Sequence, residues 1–277
     1  MLKGGKRKKR IVLCILAIAV IAVAVVFAAV NLADYISGVN EAERLKSLSE
    51  DAREEAAAKE VPDSTEAEMA AVPAESPEPE ATEAVQPEKP RQIMAKYDKL
   101  LELNSEVRGW IKIDGTRIDY PFLQHSDNDY YLHTDINNKK SKRGSVEIDY
   151  RSNGDLSGKN TLVYGHNMKD GSMFKDLVKY KNKDFFDSHG IIHMDNLYEQ
   201  IDWQVFSVYV VDADRETIDP EYPDDEAYLK ELNRFRDRSM FKTDVELDSR
   251  DTILTLVTCS YETSNSRTIV HAKRISG

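Results

Sequence analysis

Apolar residues change their spacing repeatedly along this chain, and each change marks a different environment. Residues 11 to 30, IVLCILAIAVIAVAVVFAAV, are twenty apolar positions without a charge. At 1.5 Å rise per residue they reach about 30 Å, the thickness of a bilayer's hydrocarbon core, which predicts a membrane-spanning helix. Residues 41 to 60, EAERLKSLSEDAREEAAAKE, are good helix formers with charges on most faces, which predicts a solvated helix leaving the membrane. From 61 to 90 periodicity is lost, six of the nine prolines occur, and no Phe, Trp or Tyr stands anywhere between 41 and 90. Such a stretch cannot bury enough apolar surface to offset its ordering entropy, so an extended spacer is expected, holding the C-terminal domain away from the bilayer.

At residue 91 helical spacing returns. Ile93, Tyr97, Leu100, Leu101 and Leu103 lie on one face of RQIMAKYDKLLELNSEV. Short β-like runs come next, between turn residues: GWIKIDGTRIDYPFLQ, KRGSVEIDYRSNGD, KNTLVYGHN, IIHMD, YEQIDWQVFSVYVVDAD, DTILTLVTC and RTIVHAKRI. Period-two alternation is clear in Trp110-Ile111-Lys112-Ile113 and in Thr252 to Leu256. Helical stretches interrupt them near 172 to 187 and at 224 to 241. The chain is therefore divided as a basic leader (1–10), a transmembrane signal anchor (11–30), an acidic Pro/Ala/Glu-rich linker (31–90) and a mainly β, barrel-like domain (91–277).

Charge settles the orientation of the first two segments. Six basic residues, Lys3 to Arg10, precede the apolar run, and Asp34, Glu41 and Glu43 lie beyond it. The positive-inside rule puts the N-terminus in the cytoplasm and residues beyond 30 outside the cell membrane. A cleaved signal peptide is the rival reading, but its apolar region is shorter, roughly 7 to 15 residues. The overall net charge is -11, of which residues 41 to 90 carry -10, so the acidity says little about a substrate. No basic stripe with interleaved aromatics occurs, which argues against a nucleic-acid partner.

Two cysteines are present: Cys14 inside the apolar run and Cys259 in the exported part, too far apart in environment to pair. A leftover exported thiol suggests a reactive group or intermolecular pairing; a buried inert residue is the alternative. No second Cys or H-x-x-x-H helix accompanies Cys259, so no metal site is expected. A thiol acyl-transfer catalyst needs a proton donor and a group that stabilises the oxyanion. His166, in TLVYGHN, stands where a strand ends, so its ring is available to a cleft. His125, His133, His189, His193 and His271 read as surface or packed groups. Arg267 opens the strand after Cys259; if the two strands pair, the loop SYETSNS brings it beside the sulfur. Alone, it would read as a loop-closing surface charge.

TLVTC, with an arginine after a short loop and YGHN far upstream, resembles the signature of sortases, Gram-positive cysteine transpeptidases with an N-terminal anchor and an eight-stranded β-barrel. WIKIDGTRIDYPFLQHSDNDYYL, GSVEIDYR and TLVYGHNMKDGSMFKDLVKY, with the helix before the last two strands, resemble class B. The likeness covers residues 92 to 277. It implies that Cys259 is the nucleophile, His166 the general acid/base and Arg267 the oxyanion or substrate stabiliser. It also implies that Asn128, Leu132, Tyr164 and Thr258 line the peptide groove. Two departures concern substrate preference: Val257 and Ser260 flank Thr258-Cys259 where relatives often carry serine and an acid, and Glu147 stands where many read GSIF.

The resemblance implies cleavage of an x-P-x-T-x sorting signal after Thr on exported proteins. The thioacyl-enzyme would pass to an amine of the peptidoglycan cross-bridge or its lipid-linked precursor, without a metal or organic cofactor. Three other readings remain open. A pilin polymerase would use a lysine acceptor, but no lid-like segment precedes the barrel. A non-catalytic membrane-tethered peptide-binding module would have no need of all three side chains. An L,D-transpeptidase would place its cysteine in an S-x-G-C context, which Val257-Thr258-Cys259 does not match.

Overall fold

In the computed structural model, which describes residues 4–59, 91–260, 262–263 and 265–276, a helix α1 (Gly4–Lys59) leads into a closed barrel. The barrel strands are β1 (Val107–Lys112), β2 (Asp119–Leu123), β3 (Val146–Ile148), β4 (Asn160–Tyr164), β5 (Ile191–Asn196), β6 (Asp202–Asp212), β7 (Ile253–Cys259) and β8 (Ser266–Arg274). They close in the order β1-β2-β3-β4-β7-β8-β6-β5. β2–β3 and β4–β7 pair in parallel, and the other ladders are antiparallel. The remaining helices are α2 (Asp98–Leu103), α3 (Lys183–Ser188) and α4 (Asp225–Asp237), with 3₁₀ turns at Ala95–Tyr97, Phe174–Lys181 and Ala213–Arg215. The eight-stranded, mainly β architecture expected from the sequence is the one found.

Period-two alternation sorts the side chains into two sets. Ile111, Phe122, Val146, Ile148, Val163, Leu254, Leu256 and Val270 fill the barrel interior. Their neighbours Leu162, Ile253 and Ile269 point outward and are covered by α4, whose Tyr228, Leu232 and Phe235 recur at helical spacing. Asp224 caps that helix by accepting from the Ala227 amide, and Asp225 and Glu226 complement its N-terminal dipole. Leu123 and Val107 pack outward against Tyr97 and Leu100 of the short helical entry, together with Leu45 of α1.

α1 is long and apolar enough to cross a membrane, and its described apolar residues from Leu13 to Leu32 are exposed. It continues without a break through the first part of the acidic stretch. That part is helical as expected, yet one face is not solvated: Leu45, Ser49 and Ala52 are buried. Arg44 donates to Asn137 Oδ1 at 2.9 Å, Asn137 donates to Glu41 Oε1 at 2.8 Å, and Lys46 pairs with Asp119 at 3.3 Å. Three apolar or small positions at spacings of four and three are enough to seat the helix, among charges that composition alone reads as solvated. The extended spacer expected at 61 to 90 lies outside the described residues.

Candidate active site

Cys259 is the last residue of β7, half-buried, and directly opposite Arg267 in the β7–β8 ladder. The next pair, Ser260 and Ser266, carries the ladder bond from Ser260 N to Ser266 O at 2.9 Å. Cys259 and Arg267 therefore form a non-hydrogen-bonded pair, the kind whose Cα atoms approach to about 4.5 Å and whose side chains project together from one face. Alternation sets that face: Val257 and Ile269, two residues before Cys259 and after Arg267, belong to the outward set, so sulfur and guanidinium lie outside the barrel interior. Arg267 donates from Nη1 to the Ser266 carbonyl at 3.1 Å, and no carboxylate pairs with it among the described residues.

His166 arrives by a different route. β4 runs parallel to β7 with Tyr164 beside Val257, so both strands end on the same rim of the barrel. Three bonds clamp the turn after β4 to the end of β7. Gly165 N–H donates to Val257 O at 3.2 Å, Thr258 Oγ1 donates to Gly165 O at 2.7 Å, and Asn167 Nδ2 donates to Cys259 O at 2.6 Å. Gly165 is required there because a Cβ would lie 2.5 Å from the Phe174 ring. The imidazole Nε2 lies 2.9 Å from the carbonyl oxygen of Leu132. A carbonyl only accepts, so Nε2 carries the proton in the neutral ring and Nδ1 carries the lone pair.

The four residues expected to line a peptide groove divide by environment. Tyr164, half-buried, donates its hydroxyl to Asp149 Oδ2 at 2.9 Å, and Asn128 donates to the same oxygen at 3.1 Å. Asn128 Oδ1 also accepts from the Tyr150 amide at 2.9 Å, stitching the loop after β2 to the end of β3. Leu132 stands half-exposed above His166. Thr258 differs: it is 2% exposed and its hydroxyl is committed to Gly165, so it holds the turn instead of facing an open groove.

Two acidic residues of this region carried no sequence signal beyond their place in GSVEIDYR. Asp149 is fully buried. Burial alone would raise its pKa, but the Arg151 guanidinium and amide and the Tyr164 hydroxyl outweigh it and hold the carboxyl below the usual range. Glu147, 2% exposed, has an oxygen with no hydrogen-bond partner among the described residues. Burial first, then the carboxylates of Asp127, Asp149 and Asp129, push its pKa up to about 8. Its neighbours in the strand, Val146 and Ile148, face the interior, so Glu147 shares the outward row with its ladder partner Tyr164.

A sulfur, an imidazole and a guanidinium without a carboxylate partner among the described residues, on one rim of a β-barrel, suit acyl transfer through a thioester. Residues 111–275 match the sortase domain family. Sortase B of Listeria monocytogenes is 38% identical over 179 residues, covering 64% of this chain and 73% of that protein. The X-ray structure of Clostridium perfringens sortase B superposes with a TM-score of 0.62 at 38% identity, over 64% of this chain and 98% of that one. A Staphylococcus aureus sortase B–substrate complex gives a TM-score of 0.63 at 33% identity, over 66% of this chain and 86% of that one. With the domain matched over most of its length and the relatives sharing its barrel, this chain belongs to the sortase family of cysteine transpeptidases, as a class B sortase.

Proposed function

We propose that this transpeptidase cleaves an x-P-x-T-x sorting signal after Thr and passes the acyl group to a peptidoglycan amine, with Cys259, His166 and Arg267 as its catalytic residues. The observation that carries the reading is the direct opposition of Cys259 and Arg267 across the β7–β8 ladder. The Cys259 sulfur, as thiolate, attacks the threonine carbonyl, and the developing oxyanion is met by the guanidinium, whose planar fork supplies two donors and a fixed charge. His166 protonates the departing amine; the Leu132 carbonyl occupies Nε2, so Nδ1 is the nitrogen that exchanges the proton. Expulsion of the amine leaves a thioester, and the incoming amine displaces the sulfur after losing a proton to the same imidazole. A substrate complex of the Staphylococcus aureus relative supports action on a sorting-signal substrate, and we assign Asn128, Leu132 and Tyr164 to its groove.

α1 supports a single-pass anchor with the basic leader in the cytoplasm and the barrel outside, where exported proteins and wall precursors meet. The test is cleavage of an x-P-x-T-x peptide panel by the full chain and its Cys259→Ala variant in detergent. Loss of cleavage and of a trapped thioester, with the thermal transition unchanged, is the expected result. Near wild-type turnover in the variant would overturn the assignment.

A further inference from the structure

The net acidity of the chain hides a local reversal of charge. Residues 136 to 146, INNKKSKRGSV, contain no acid, and Lys139, Lys140 and Lys142 are exposed. Lys169, exposed in the turn after His166, adds a fourth ammonium. Asp170 beside it is spent on Arg143, whose guanidinium it meets at 2.8 Å. Asp135, half-buried, accepts the Asn137 and Lys139 amides of its own loop through Oδ1, each at 2.9 Å, and its charge also acts on Arg44.

Height along α1 decides what this surface meets. Contacts with the barrel run in order down the helix. Lys99 touches Glu55 at 2.8 Å, Asn137 touches Glu41, and Arg143 lies against Gly38, where a Cβ would sit 2.5 Å from its guanidinium carbon. Farther toward the N-terminus, a cleft between helix and barrel is lined by Phe27 and Asn31 on one side and by Lys139, Lys140 and Lys169 on the other. Phe27 is inside the apolar run and Asn31 is the first polar residue beyond it. The lysines therefore stand at the outer boundary of the membrane segment, where a headgroup layer of roughly 5–7 Å begins.

We propose that Lys139, Lys140, Lys142 and Lys169 form an electrostatic docking surface for anionic phospholipid headgroups of the leaflet from which α1 emerges, holding the rim that carries His166 against the membrane. The inference rests on the reading of residues 11 to 30 as a bilayer-crossing anchor. Long ammonium side chains suit it, because they reach laterally and need no fixed geometry to pair with mobile phosphates. Negative charge elsewhere in the chain gives the contact a direction: the acidic residues of 41 to 60 are repelled by the same surface that attracts the loop.

The full chain is reconstituted in nanodiscs of phosphatidylcholine alone or with phosphatidylglycerol, and amide exchange is measured in segments 138–143 and 167–170. Exchange is expected to slow at least about fivefold in the anionic discs at low salt and to recover at ~0.5 M salt, where screening is nearly complete. A variant combining Lys139→Gln, Lys140→Gln, Lys142→Gln and Lys169→Gln is expected to lose the difference. Release of the chain by an alkaline carbonate wash of proteoliposomes would overturn the anchor reading and this inference with it. A retained chain exchanging equally in both disc types, or a slowing that survives in the variant, would overturn this inference alone.

Discussion

The Asn167 side-chain amide donates to the backbone carbonyl of Cys259 at 2.6 Å, joining the turn that carries the imidazole to the strand that carries the sulfur. Asn167 is 6% exposed, so the bond is shielded from water. Of the three bonds that clamp this turn, it is the one made to the backbone of Cys259. Asn167→Ala is expected to lower kcat/KM for peptide cleavage by about tenfold or more, the equivalent of a buried hydrogen bond worth ~1–2 kcal/mol. Alkylation of Cys259 by a small reagent should proceed at nearly the wild-type rate. A proportionate fall in alkylation would mean that the bond supports the strand end and not the placement of His166.

Arg267→Lys keeps the charge and removes the fork. A fall in kcat of about 10²–10³ is expected if the guanidinium meets the oxyanion, with little change in melting temperature, since no ion pair is lost among the described residues. Equal rates for the two proteins would reduce Arg267 to a structural role.

Glu147 makes stability depend on pH in a direction opposite to most carboxylates. Its folded pKa, pushed up to about 8 by burial and by the neighbouring Asp127 and Asp149, exceeds the unfolded value near 4.5. Between these limits the folded chain holds a proton that the unfolded chain has released, so stability declines as pH rises from about 4.5 to 8. Glu147→Gln removes that slope. The variant is expected to melt about 3 °C or more above wild type near pH 8.5 and within a degree or so of it near pH 4.5. Parallel melting curves across the range would show that Glu147 ionises freely in the fold.

His271 acts on the acid side. It is wholly buried, stacked on Phe235 at 4.0 Å between ring centres. The Thr255 hydroxyl is donated to Asn160 Oδ1 at 2.7 Å, so Thr255 accepts from His271 Nδ1 at 2.9 Å, and Tyr209 donates to Nε2 at 2.8 Å. In the neutral ring both nitrogens are satisfied in this way. Burial, then the charges of Arg234 and Arg238, depress the pKa well below 6.5. The unfolded chain takes up a proton that the folded chain refuses, so this site's contribution to stability is full above about pH 6.5 and falls as pH drops below it, by up to ~1.4 kcal/mol per pH unit, against the Glu147 slope. In His271→Phe the overall stability is expected to be lower and this slope absent, as read from denaturant midpoints between about pH 4.5 and 7.5. A difference between the wild-type and His271→Phe midpoints that stays constant over that range, the opposing Glu147 slope being common to both, would show that the site admits the charged ring.

Most of the strands, the amphipathic α4 and the pairing of Cys259 with Arg267 come from local information. Alternation marks β7 and β8, a short loop joins them, and an antiparallel hairpin then forces residues near its ends together. His166 stood out in TLVYGHN only through its place at a strand end and through likeness to sortases. What no local pattern contained was the parallel β4–β7 ladder, because its partners lie more than ninety residues apart and are joined by a crossover. The same holds for Thr258, which reads as a groove residue beside the sulfur and is instead turned into the clamp on Gly165. Burial of Leu45 and Ala52 in an otherwise charged helix, and isolation of Glu147 among carboxylates, likewise required the fold. Sequence determines which side chains alternate, pair across short loops and can bear the chemistry. Tertiary structure decides which distant segments share a rim, which polar groups lose water and which charges face one another, because those depend on closure of the barrel and not on neighbours in the chain.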